Sequence, residues 1–166
     1  MNAIKLLEYS QFLRHRYFDA FSRLPWDEFV KVQNASFDSL RDIFLHCVEV
    51  LDRYVNHRIR GNAELPRIHF DDYDSIDKVK TYLDQVESDV NRYLNKASPE
   101  ELARKVERRF KDGATAQMTV EDMLIDIFQE ETHHQGEFIA LLWQMGIEPP
   151  HLGWGQFINK DHLRIS

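Results

Sequence analysis

The chain has 166 residues, 43% hydrophobic and 30% charged, a composition ordinary for one globular domain long enough to bury a core. Its 21 basic and 28 acidic side chains give a net charge of −7, and an acidic surface repels phosphate backbones, which argues against nucleic acid as a partner. No window reaches the roughly 18 apolar residues of a membrane span. The N-terminus carries Lys5 and Glu8 rather than a secretory apolar run, and the single cysteine, Cys47, permits no intramolecular disulfide, so a soluble cytoplasmic protein is expected.

The first predicted helix covers residues 2–23. Leu6, Tyr9, Leu13 and Tyr17, with Ala20 and Leu24, recur at three- and four-residue steps, and Pro25 ends the segment. Ser36 is the expected N-cap of a second helix, with Ser39 behind it. Leu40, Ile43, Phe44, Cys47, Leu51, Tyr54 and Val55 form its apolar stripe; Gly61 stops it and Pro66 prevents its resumption. Residues 66–74 read as a loop with a brief extended piece at 67–70. A third helix fits residues 75–95, where Ile76, Val79, Leu83, Val86, Val90 and Leu94 share one face. Ser98 and Pro99 read as an N-cap followed by proline at the first helical position. Residues 106–117 show no helical period and read as an extended excursion ending in a turn at Gly113. Thr119 caps a long fourth helix, with Asp122 at its third position as in a capping box, and Gly146 ends it. The tail from His151 onward is expected to be irregular, with Trp143, Trp154 and Phe157 capping the helices. Four long amphipathic segments with short connections predict an all-α, antiparallel four-helix bundle in a single domain, residues 1–166.

The chemistry concentrates in the fourth helix. Met123, Ile127, Glu130, His134, Phe138 and Leu141 keep to one face, and the two residues in the middle are a carboxylate and an imidazole one turn apart. A buried carboxylate must neutralise or find a cation, and a metal shared with the imidazole is one solution. Spacing alone leaves a hydrogen-bonded surface pair open. His133 falls on a mostly polar stripe and reads as solvent-facing. A third ligand must come from another helix, and His46, flanked by Ile43, Val50 and Tyr54, supplies one. His15 suits a substrate-pocket or structural role, and His57, His69, His151 and His162 carry no spacing signal. A di-iron site needs a second Glu-x-x-His on another helix, which the sequence lacks.

Several segments, in order, resemble the DinB superfamily of four-helix metalloproteins. Tyr9-Ser10-Gln11-Phe12 is similar to that family's opening aromatic helix, and the run Ser36-Phe37-Asp38-Ser39-Leu40-Arg41-Asp42 leading to His46 is similar to its second. Glu131-Thr132-His133-His134-Gln135-Gly136 is similar to its His-x-x-His-His-Arg-Gly stretch, and Gln144-Met145-Gly146 followed by Pro149-Pro150 is similar to its exit from the last helix. The resemblance implies three metal ligands, at His46, Glu130 and His134. It implies a histidine at the place of Glu130 and an arginine at Gln135, so this chain departs from the pattern at both. Two histidines and a carboxylate suit zinc or iron, with nickel and manganese also admissible.

The resemblance also implies a metal-dependent transferase or hydrolase, acting through a low-molecular-weight thiol such as bacillithiol, mycothiol or glutathione, or through water, on a small-molecule substrate, in a homodimer. The alternative is a non-catalytic bundle that a metal stabilises or that senses one through a dimer or partner. Cys47 reads as a core residue rather than a nucleophile.

Overall fold

The computed structural model describes residues 2–62, 67–110, 112–151 and 153–159. Most of it is helical, and a small two-stranded sheet precedes the last long helix. Helix α1, Ala3–Phe21, starts at Asn2, whose side chain accepts the Lys5 N–H. Its buried residues are Ala3, Leu7, Ser10, Leu13, Arg14, Tyr17, Phe18 and Phe21, which include Leu13 and Tyr17 of the expected stripe. The expected stripe lies partly to one side of the buried face, because two polar residues, Ser10 and Arg14, sit in the middle of what is buried. Leu6 and Tyr9 are half-buried. After Pro25 the chain does not simply turn: α2, Trp26–Phe29, adds a short helix that sets Phe29 against Phe21, with ring centroids 5.4 Å apart.

Helix α3, Leu40–Leu51, is capped by Ser39, whose hydroxyl accepts the Asp42 N–H at 3.2 Å. Ser36 is therefore not the cap; its side chain is used elsewhere. The helix continues over Asp52–Ile59 as a π-helix, a winding with hydrogen bonds five residues apart. It closes at Gly61, whose φ of +71° is cheap only for glycine, with the Asn62 N–H donating to the His57 carbonyl at 2.9 Å. Pro66 lies outside the described residues. Residues 67–69 are irregular and Phe70–Asp72 forms one 3-10 turn, so the brief extended piece expected there is not a strand.

Helix α4, Ile76–Leu94, begins behind Ser75, and α5, Pro99–Ala103, behind Ser98. The extended excursion is an antiparallel hairpin, β1 (Lys105–Arg109) with β2 (Thr115–Thr119), pairing Val106 with Met118 and Arg108 with Ala116. The protein is mostly helical, as expected, and this small sheet is an addition to the helices. Helix α6, Val120–Gln144, starts at Thr119, with both halves of the capping box formed to Asp122. It ends at Gly146 (φ +72°), where the Ile147 N–H donates to the Leu142 carbonyl and the Gly146 N–H to that of Trp143. The tail is not wholly irregular either, since α7, Trp154–Ile158, is helical. Its Trp154 and Phe157 rings cover Tyr9 at 5.1 and 5.4 Å, while Trp143 stays exposed. His162 lies outside the described residues.

The core is aromatic where α1, α3 and α6 meet. Phe138 of α6 packs 5.0 Å from both Tyr17 and Phe21 of α1, and 6.5 Å from Phe44 of α3. These contacts fix which face of α6 turns toward α3. Among the described residues, no helix is long and apolar enough to cross a membrane.

Candidate metal centre

His46 enters from the middle of α3, and Glu130 and His134 from consecutive turns of α6. Their ligand atoms all lie within 4.8 Å of one another. The Glu130 Oε1 is 3.4 Å from His46 Nε2 and 3.5 Å from His134 Nε2. Ligand atoms about 2.1 Å from a tetrahedral ion stand roughly 3.4 Å apart, so both edges match the separation a shared cation needs. The donor set, two imidazole nitrogens and one carboxylate oxygen, fits a divalent ion.

The three side chains are not equally enclosed. His134 is 5% exposed and His46 12%, but Glu130 is 48% exposed. The buried carboxylate of α6 is its neighbour Glu131, and a cation from α1, Arg14, answers that one. Burial therefore does not force Glu130 toward a cation; its two histidine neighbours are what draw it inward. Burial works to raise the Glu130 carboxyl, yet the His46 hydrogen bond and the His134 charge hold it below the usual carboxylate range. For His46, burial outweighs the hydrogen bond to Glu130 and pushes the imidazole down, which keeps it neutral near pH 7.

His134 has a built support. Its Nδ1 lies 2.6 Å from Glu137 Oε2, one turn further along α6. Glu137 in turn accepts the backbone N–H of Ser36 at 3.1 Å and its hydroxyl at 2.7 Å. This is the job Ser36 does instead of capping α3. A carboxylate on Nδ1 fixes the tautomer, so Nε2 presents its lone pair toward Glu130 and His46. Burial raises the Glu137 carboxyl, but the hydrogen bonds from Ser36 and His134 prevail and hold it below its ordinary range. His46 has no such partner: its Nδ1 is buried without a hydrogen bond among the described residues. Its ring is held instead by Phe37, 4.3 Å away and tilted by 30°.

Sequence reasoning missed Glu137, Ser36 and Phe37. A signal existed for Glu137 alone, a carboxylate three residues from a candidate ligand histidine and so on the same face. Replacing Glu137 with alanine is expected to weaken zinc binding about 10- to 100-fold, with the helix content unchanged, as read by competition against a chromophoric chelator.

Among the described residues, the other histidines do not join the triad. His15 is half-exposed and pairs with Glu87 at 2.6 Å, a structural contact between α1 and α4; His133 is exposed and meets the His134 ring edge to face at 5.5 Å. Cys47 is buried, and burial pushes its thiol well above the ordinary cysteine range, which removes it as a nucleophile.

A helical chain that converges two imidazoles and one carboxylate from two helices belongs to the class of helical proteins with a candidate mononuclear metal site. Its sequence matches the model of the DinB family over residues 1–161, and the chain belongs to that family. No curated protein matches it.

Proposed function

We propose that the chain is a metal-dependent enzyme of the DinB type, in which His46, Glu130 and His134 hold one divalent ion that serves thiol transfer or hydrolysis on a small molecule. The observation that carries this reading is the convergence of the three ligand atoms within 4.8 Å, with His46 and Glu130 in the wall of a cleft of about 770 Å³. A divalent ion there would lower the pKa of a thiol or water at its open position. The chain's own part is to orient. Glu137 and Ser36 hold His134, Phe37 holds the His46 ring, and the cleft brings the substrate to the half-exposed Glu130. Zinc and iron suit this donor set best, and nickel or manganese would also be accepted.

The four long helical segments are read as an antiparallel bundle, with the site between its second and last members. Ile139 and Trp143, exposed one turn apart on α6, support a homodimer, and a sole, buried cysteine supports a cytoplasmic location. The test is protein purified without chelators. Metal content should be one ion per chain, and transfer of glutathione, bacillithiol or mycothiol to an electrophile, or cleavage of simple esters, should stop on chelation. A large fall in melting temperature on chelation, with no turnover at any stage, would instead establish the non-catalytic, metal-stabilised reading.

A further inference from the structure

The cleft beside the candidate metal centre is lined by five arginines, Arg53, Arg58, Arg67, Arg108 and Arg109, in a chain whose net charge is −7. Three elements supply them. Arg53 and Arg58 come from the π-helical continuation of α3, whose five-residue hydrogen-bond spacing brings residues five apart onto one side. Arg108 and Arg109 come from the end of β1, and Arg67 from the segment after the π-helix.

Three carboxylates of the same cleft are already engaged, two of them with arginines of the cleft itself. Glu49 accepts the Ile68 N–H at 3.1 Å and faces Arg53 at 3.8 Å. Asp126 pairs with Arg108, and Asp112 accepts the Ala114 N–H at 3.0 Å within the hairpin turn. Glu130 belongs to the triad. Arg67 and Arg109 have no ion pair with a carboxylate among the described residues. Two more guanidinium groups of the cleft lie over one aromatic ring: Arg58 is 4.8 Å and Arg108 5.5 Å from the centre of Tyr54. The N–H edges of a guanidinium match the oxygens of carboxylates and phosphates.

We propose that this cleft is an anion-recognition subsite, and that the substrate carries a carboxylate or phosphate group held by Arg67 and Arg109 while its reacting group reaches the His46, Glu130 and His134 end. This deepens the metal-enzyme reading and rests on it for the second contact only. The arginine contact is a property of the metal-free chain.

The test uses the full chain, zinc-loaded and chelator-treated, titrated calorimetrically with inorganic phosphate and with succinate. One of the two anions should bind both forms, and the tighter one identifies the group recognised. The double variant Arg67→Ala/Arg109→Ala should bind it about 100-fold more weakly, roughly tenfold per charged hydrogen-bond donor removed, whereas Arg23→Ala, exposed and outside the cleft, should bind it unchanged. Mercaptosuccinate should bind the zinc-loaded protein at least tenfold more tightly than succinate. No anion binding, or an equal loss in the Arg23 variant, overturns the proposal. So does mercaptosuccinate binding zinc-loaded protein no better than succinate. A chain that takes up no zinc, yet whose anion affinity depends on Arg67 and Arg109, refutes the metal reading and leaves the anion subsite standing.

Discussion

Replacing His134 with alanine is expected to lower metal affinity by on the order of 100-fold or more, since even loss of a supporting residue costs about 10- to 100-fold. This should be the largest effect among the three ligands. The His134 Nε2 lone pair is already aimed, because Glu137 occupies Nδ1 at 2.6 Å. His46 is less prepared. Its Nε2–H donates toward Glu130 at 3.4 Å as the ring stands, and among the described residues Nδ1 has no acceptor for its N–H when Nε2 turns ligand. His46→Ala should therefore cost somewhat less, and Glu130→Gln less again, because Glu130 is half-exposed and its amide still offers an oxygen. Glu130→His restores the three-histidine set that the family resemblance implies and should retain the metal. The measurements are metal content by mass spectrometry and the rise in melting temperature at fixed zinc, which follows the logarithm of affinity. Unchanged metal content in both His46→Ala and His134→Ala would refute the site.

Much of what positions this site is written locally. Thr119, Asp122 and Gly146 mark both ends of α6 by side-chain and backbone chemistry that needs no tertiary context, and Ser75 and Ser98 do the same for α4 and α5. The α6 stripe is buried at Met123, Ile127, His134, Phe138 and Leu141, so the register of the ligand face is legible from spacing. Ser36 and Ser39 are indistinguishable as caps in sequence. What separates them is Glu137, 101 residues away, which takes Ser36. The hairpin is hard to read for a different reason. Lys105, Glu107 and Arg109 alternate with Val106 and Arg108, so charge falls on both faces and the two-residue period of apolarity never shows.

The metal face also carries a misdirection. Glu130 and Glu131 are adjacent, about 100° apart on the helix, and apolar spacing selects Glu130 as the buried one. The structure buries Glu131 because Arg14 reaches it from α1, a pairing across 117 residues that no local pattern encodes. The cleft arginines are hidden in the same way. Arg108 and Arg109 are far in sequence from Arg53, Arg58 and Arg67, and only the fold brings the five to one cleft.

Arg14→Ala is expected to be the most destabilising single substitution in the chain, by about 3–5 kcal/mol, the cost of stranding buried carboxylates. Arg14 is buried and donates through Nε to Glu87 of α4 at 2.8 Å and through Nη1 to Glu131 of α6. One cation thus ties three helices, but it neutralises only one of two carboxylates. The two respond differently. At Glu87, burial raises the carboxyl, but the His15 hydrogen bond and the Arg14 charge outweigh it, with Gln11 also donating at 3.1 Å, and the group sits below its ordinary range. At Glu131, burial prevails over Arg14, and its carboxyl is raised. Acidification therefore acts in two directions. The share from Glu87 is present above the ordinary carboxylate pKa and lost as pH falls through its depressed value, while protonating Glu131 relieves a buried charge. For a chain of this length, Arg14→Ala should lower the melting temperature by roughly 6–20 °C at neutral pH. The triple variant Arg14→Met/Glu87→Leu/Glu131→Leu removes all three charges at once and should recover most of that loss, because an apolar set of similar volume is often as stable as a buried ion network. If the triple variant is as unstable as Arg14→Ala, the hydrogen-bonded network itself rather than relief of stranded charge holds α1, α4 and α6 together.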